Sequence, residues 1–261
     1  MAAPWVVPLF RDVAPDLWSV RSQVVRIEPD REFIRRQSDQ TRDIALPVER
    51  PRPTDTPDPE LALREAERLR GIPGWERERA EMLTRAGRGL YSEEDLQGAE
   101  AVLREGANLL AIAAKTAAGK LSRQTRARDR EAAERTLRET LVSRGNTIYE
   151  LGRALRDQGR AAEAEESFRR ALALAEEGGA TAVSRGITMD MLGRALLDQG
   201  RAAEAEESFR RALALAEEGG GTAVSRGITM DNLGRALRDQ GLVEEAEEAL
   251  RRALALRGQG T

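Results

Sequence analysis

The chain of 261 residues contains no cysteine and no histidine. Without cysteine there are no disulfides, no thiolate metal ligands and no thiol nucleophile, a composition that fits a reducing compartment. Without histidine the usual general base, the commonest metal ligand and the side chain that changes charge near neutrality are missing. A serine triad of the ordinary kind cannot then be assembled. No pair of carboxylates stands out as an acid–base couple, so we expect no enzyme activity, no cofactor and no metal. Aromatic residues make up only 3%, and much of the 40% hydrophobic fraction is alanine. A core of this kind is thin and requires helices to approach closely, which suits a layered helical array better than a thick globule.

Basic charge is not in excess: the formal net charge is −3 and Lys115 and Lys120 are the only lysines. No overall basic field exists to hold a phosphate backbone, which argues against a nucleic-acid partner. Long hydrophobic runs are also absent. The most apolar later stretch, ANLLAIAAKTAAG from Ala107, falls far short of a membrane span. The N-terminus, MAAPWVVPLFRDVAPDLW, lacks an early basic segment and is interrupted by prolines, unlike a secretory signal. The expectation is a soluble, cytoplasmic protein with no membrane partner.

Proline is scarce beyond the beginning. Residues 1–58 hold eight of the ten prolines and two of the three tryptophans, and read as a proline-rich arm. WSVRSQVVRIEP from Trp18 has the β-branched residues of a strand, and PVERPRPTDTPDP from Pro47 reads as an extended linker. Residues 59–131 read as a helical region. Asp58 is a cap, Pro59 suits a first helical position and Gly71 an end. A second helix is expected from about Trp75 to Leu90. Ser92, three residues before Asp95, resembles a capping box opening a third helix that ends near Ala118. Ser122 to Asp157 has no proline, and reads as one long helix or two nearly continuous ones with Gly145 and Gly152 as its weak points. AAKTAAGKLS is not a phosphate loop: Ala114 stands where the first glycine is needed and Leu121 where Ser or Thr is needed.

From 132 to 261 the chain reads as an array of three units with a 41-residue period: Leu151, Leu192 and Leu233 are in register. The first two units differ at three positions only, Arg156/Leu197, Ala180/Gly221 and Met191/Asn232. Such a period signals a solenoid or a propeller, and the local spacing selects the solenoid. Ala202, Ala205, Phe209, Ala212, Leu213 and Ala216 follow a helical rhythm, as do Val183, Met189, Leu192, Ala195 and Leu196. Gly200 separates the two halves, so each unit is a helical hairpin. Glu206 and Glu207 precede Arg210 and Arg211 by four residues, a stabilising helical pair repeated at Glu165/Glu166 and Glu247/Glu248. Glu217-Glu218 at a helix C-terminus runs against the macrodipole.

The register resembles the tetratricopeptide repeat family, in its long-repeat, kinesin-light-chain-like branch. Leu192-Gly193, Leu196, Gly200, Ala205, Phe209 and Ala212 carry the resemblance. Leu151, Gly152, Leu155, Gly159, Ala164, Phe168 and Ala171 repeat it, as do Leu233, Gly234, Leu237, Gly241, Ala246, Leu250 and Ala253, with Leu250 replacing the wedge phenylalanine. Leu83, Gly87, Leu90, Ala99 and Leu103 form a fainter, degenerate hairpin. The family's usual proline at the end of the second helix is missing. The resemblance implies an all-α fold, an α-solenoid of stacked antiparallel hairpins forming a superhelix. It also implies a protein–protein interaction scaffold that binds a peptide or protein segment in a concave groove. On the groove side of the first helices it places Arg153, Arg194 and Arg235, one per unit, with Asn146, Tyr149, Arg156, Asp190, Asp231, Asn232 and Arg238 around them. Guanidinium groups hold carboxylates through paired hydrogen bonds, so an acidic peptide is one expected ligand. The competing reading is that Asp157, Asp198 and Asp239, four residues after the three arginines, neutralise them on a solvated face. Two other roles stay open: a self-assembling protein stacking end to end through a terminal repeat, where Leu242 and Val243 break the pattern, and a sensor or regulatory module of a bacterial-type multidomain system.

Overall fold

In the computed structural model, residues 57–258 are described. The proline-rich arm expected over 1–58, with its strand from Trp18 and its linker from Pro47, lies outside them except for Pro57 and Asp58. The described residues form nine helices and no strand: α1 (Pro59–Arg68), α2 (Glu76–Ser92), α3 (Leu96–Leu121), α4 (Ala127–Asp157), α5 (Ala161–Glu177), α6 (Ala182–Asp198), α7 (Ala202–Glu218), α8 (Ala223–Asp239) and α9 (Val243–Gly258). Antiparallel pairs α2/α3, α4/α5, α6/α7 and α8/α9 stack side by side.

Local chemistry sets the helix ends. Asp58 caps α1, its Oδ1 accepting from the amides of Glu60 (3.0 Å) and Leu61 (3.3 Å), with Pro59 in the first turn. The capping box expected at Ser92 does not form. Ser92 ends α2 and its hydroxyl donates back to the Gly89 carbonyl (2.7 Å). Asp95 caps α3 instead, accepting from the Gly98 amide at 2.9 Å. The stretch around Gly119 and Lys120 is the last turn of α3, not a loop. α4 is one uninterrupted helix of 31 residues, against 17 for α6 and α8. The difference lies just before the repeat. Thr181 and Thr222 cap α6 and α8 by accepting from Ser184 and Ser225 amides, after glycine pairs that end the preceding helix. In the same register Thr140 follows Leu137 and Arg138 rather than glycines; it stays inside α4 and donates to the Thr136 carbonyl (2.7 Å).

Each later hairpin turns on a glycine with positive φ: Gly159 (+77°), Gly200 (+74°) and Gly241 (+81°). The next amide then closes back onto the first helix, as Arg201 N does to Leu196 O at 2.9 Å. In the first hairpin Glu94 holds this place with φ +65°, a left-handed conformation that costs a side-chain-bearing residue about 1–2 kcal/mol.

Within a hairpin the helices meet at two points of minimal bulk. A Cβ on Gly152 or Gly193 would stand 2.7 or 2.6 Å from a ring carbon of Phe168 or Phe209. Gly87 faces Leu103 and Gly234 faces Leu250 in the same way. Two turns earlier, Gly145, Gly186 and Gly227 lie over the carbonyls of Ala171, Ala212 and Ala253, each 3.2 Å from where a Cβ would be. Gly145 and Gly152, expected as weak points, are therefore contact points. Phe168 and Phe209 are fully buried, in a continuous core that runs from Ala99 to Ala249.

Between hairpins, apolar packing is reinforced by a charged clamp. Glu165 of α5 accepts from Gln199 Nε2 (2.8 Å) and from Arg201 Nη1 (2.7 Å) of the next hairpin. Arg160 reaches Glu100 in the preceding seam (2.6 Å). In the last seam Gln240 bonds Glu206 (2.6 Å), and Leu242 stands where the arginine would be. Burial pushes the Glu165 carboxyl up, but the hydrogen bonds from Gln199 and Arg201 outweigh it and hold it below the usual carboxylate range. A group with a depressed folded pKa stabilises above its unfolded value, so this clamp is lost only as pH falls through the lower folded value. Five of the six expected glutamate–arginine pairs form on the second helices, at Glu165–Arg169, Glu206–Arg210, Glu207–Arg211, Glu247–Arg251 and Glu248–Arg252. α5 and α7 end on glutamates with no basic residue in the last turn; the charge of Glu177 acts on Arg144 of α4.

Successive first helices touch one another, whereas successive second helices do not. The stack therefore closes on the side of α2, α4, α6 and α8, which form its inner layer. Among the described residues no helix is long and apolar enough to cross a membrane.

Two substitutions test this account by equilibrium unfolding. Gly193→Ala ordinarily stabilises a helix interior, but here is expected to cost about 1–3 kcal/mol because the ring of Phe209 cannot give way. Glu94→Gly is expected to stabilise by about 1 kcal/mol through relief of the left-handed strain.

Candidate protein-interaction face

The repeated glycine contacts fix the rotation of each first helix, and so fix which residues look inward. The inward column contains the expected Arg153, Arg194 and Arg235, and a fourth member that sequence reasoning passed over, Arg88 of α2. It lies 65 residues before Arg153, outside the 41-residue period, but one residue after Gly87 as Arg153 follows Gly152.

The first half of this column is tied to an internal carboxylate. Glu150 bridges two arginines, with Oε1 at 2.8 Å from Arg88 Nε and Oε2 at 2.9 Å from Arg153 Nη1. Arg153 also stacks on Tyr91, 4.4 Å from its centroid. The Tyr91 hydroxyl donates to Asp157, which also accepts from Arg156 Nη2 at 2.8 Å. Arg156 reaches across the repeat boundary towards Asp198, 3.7 Å from its Nε. Tyr149 is partly buried against Phe168, centroid to centroid 5.9 Å, and Asn146 is exposed one turn before it.

The second half is different. Asp190 and Asn232 are buried and bonded to each other, Nδ2 donating to Oδ1 at 3.1 Å, so their polar groups are spent internally. Asp231 pairs with Arg257 of α9 at 3.4 Å. Arg238 lies 3.6 Å from Asp239 in a highly exposed pair. Arg194 donates to the Met191 sulfur at 3.5 Å. Among the described residues neither Arg194 nor Arg235 has a carboxylate within ion-pair distance. The competing neutralisation by Asp157, Asp198 and Asp239 does not occur at i+4: those aspartates pair with Arg156 and Arg238. Ile187 (46% exposed) and Ile228 (44% exposed) lie two turns before the open arginines. The face thus offers paired cations beside apolar side chains. Among the described residues no group of three or more metal-ligating side chains lies together.

Burial raises both phenols of the chain. For Tyr91 the hydrogen bond to Asp157 adds to it; for Tyr149 the charge of Arg153 partly opposes it. A spectrophotometric titration of the native protein is expected to show both phenolates appearing above the ordinary value of about 10, and both returning to it in guanidinium. Normal titration of the native state would contradict the packing of this face.

Comparison with known proteins agrees with this geometry. The family model for the tetratricopeptide repeat matches residues 143–218 and 195–259. No curated protein matches the sequence. Among solved structures, a candidate kinesin light chain from Podosopora anserina with nearly identical TPR-like repeats is 22% identical, with 88% of this chain and 94% of that chain covered and a TM-score of 0.56. MamA is 16% identical, with 90% and 98% covered and a TM-score of 0.53. At these identities the likeness is one of fold, a superhelix of stacked antiparallel helices. Repeat register, hairpin packing and family match agree: residues 143–259 of this chain carry tetratricopeptide repeats.

Proposed function

We propose that the chain is a non-catalytic interaction scaffold whose inner face grips an extended acidic segment of a partner protein at Arg194 and Arg235. Tetratricopeptide repeats are in general protein-interaction scaffolds. The observation that carries the finer reading is the contrast along one column. Arg88 and Arg153 are tied to Glu150, while Arg194 and Arg235, in the same register, have no carboxylate of their own among the described residues. A guanidinium aimed from a half-buried wall and lacking an internal anion is a receptor for an external one.

The spacing suits an extended chain. First helices of successive repeats in contact lie about 10 Å apart, and an extended peptide advances about 3.4 Å per residue. Carboxylates three residues apart therefore meet Arg194 and Arg235 together. Apolar side chains of the same segment then lie against Ile187 and Ile228.

The test is fluorescence anisotropy with labelled peptides carrying Glu or Asp at that spacing. Arg194→Glu and Arg235→Glu are each expected to weaken binding about tenfold, and raised salt to weaken it further. The control Arg128→Glu, on the exposed start of α4, is expected to leave it unchanged. Equal affinity for wild type and both variants, or for an uncharged peptide of the same apolar content, removes the arginine column from the function.

A further inference from the structure

The second helix of a hairpin has a face that meets the following hairpin, and among the described residues nothing covers that face of α9. Leu172 is buried and Leu213 half-buried under the next unit, whereas Leu254, in the same register, is 67% exposed. Glu165 and Glu206 accept hydrogen bonds from the next unit, whereas Glu247, among the described residues, bonds only Arg251 of its own helix. Val243 is 56% exposed at the start of the same stripe. Val243, Glu247, Leu250, Leu254 and Arg257 recur alternately at four and three residues, the spacing that keeps one helix face against another over several turns.

The first hairpin of another copy does not fit here. Glu93 and Asp95 stand where Gln199 and Arg201 stand in the working seam, so two carboxylates would meet Glu247. α1 already packs on α2 as a preceding second helix would. The charge order of α9 itself indicates what does fit. Glu244, Glu245, Glu247 and Glu248 fill its first half, and Arg251, Arg252 and Arg257 its second. A second α9 laid antiparallel across it sets acid against base at both ends and closes leucines over leucines at the centre. Laid parallel, it sets like charge on like.

We propose that two copies of this chain pair tail to tail, α9 against α9, antiparallel about a two-fold axis between Leu250 and Leu254. Such a contact is isologous and closes at two copies, with no continuation into a filament. α9 is about 24 Å long, too short to reach the roughly 800 Å² per partner of tight complexes, so the dimer forms in the micromolar range rather than below it. This surface lies on a different helix from Arg194 and Arg235, and the inference does not rest on the peptide reading.

Sedimentation of the whole chain from low to high micromolar concentration is expected to show a dimer that grows with concentration and stops there. Leu254→Glu, at a site already in water in the monomer, is expected to abolish it with helicity unchanged. Charge pairing is read by mixing variants, and orientation by cysteine. Glu244→Arg/Glu247→Arg/Glu248→Arg in one chain and Arg251→Glu/Arg252→Glu in another are each expected to be monomeric and to pair one to one when mixed. Because the chain has no cysteine, single cysteines report distance without background. Arg251→Cys, near the axis, is expected to form an intermolecular disulfide, and Val243→Cys, at the far end, to form none. A monomer at every concentration, an open-ended series of oligomers, a dimer that survives Leu254→Glu, or cross-linking through Val243→Cys instead each overturns the proposal.

Discussion

Two helices of this chain touch where one of them has no side chain. Gly87, Gly152, Gly193 and Gly234 each receive a leucine or phenylalanine of the opposing helix, and any Cβ there would collide with it. A second set of small residues, Gly145, Gly186 and Gly227 over alanine carbonyls, fixes the crossing two turns away. Two such points determine both the separation and the rotation of a helix pair. With few aromatics and much alanine, the chain lacks the volume for a thick core, and gains its burial from close approach repeated along a row. The inner face is a consequence. Once the glycine must face the wedge, the residue after it must face inward, and in all four hairpins that residue is an arginine.

Identical letters in identical register do not make identical sites. Arg153, Arg194 and Arg235 differ because the residue three before each differs: Glu150, Met191 and Asn232. The first is a carboxylate and pairs with its arginine; the second offers a polarisable sulfur; the third turns to Asp190, and Arg235 has no carboxylate partner among the described residues. Two of the three positions at which the two near-identical units differ, Arg156/Leu197 and Met191/Asn232, belong to this inner layer. The outer helices are copied unchanged, residue for residue, from Ala161 to Gly179 and from Ala202 to Gly220. Variation therefore falls where it alters the charge of the groove and not where it would disturb the seams.

The architecture was readable because its determinants are local in sequence: a helical rhythm, a glycine turn and a 41-residue period. What escaped the sequence had no such marker. Arg88 belongs to the column through packing, and its partner Glu150 lies 62 residues away. Ser92 and Asp95 are both capping residues by type, and only the closure of Asp95 N onto Leu90 O selects the second. The aspartates four residues after the arginines looked like partners, but a helical side chain leans towards the N-terminus of its helix. An arginine therefore reaches back to a residue at i−3, as Arg153 does to Glu150, and meets an acid at i+4 where that acid is the longer glutamate, as at Arg77–Glu81 and Arg130–Glu134, rather than an aspartate. The same lean explains why the reverse order, glutamate then arginine, does pair on α5, α7 and α9.

In a linear stack, stability is the sum of the units and the seams between neighbours, and the sum is unevenly distributed. The seam into α6 has a buried glutamate clamped by Gln199 and Arg201, and each of its hairpins is filled by a phenylalanine. The seam into α8 keeps the glutamine but has Leu242 for the arginine, and its last hairpin is filled by Leu250, which remains partly exposed. Opening of a solenoid proceeds most easily from its least anchored end. Arg153 thus stands on a helix held from both sides, while Arg235 stands on one held firmly from one side only. Arg235, one of the two column arginines without a carboxylate partner among the described residues, is also the one whose position depends most on what covers α9, so whatever orders that last helix also sharpens the groove.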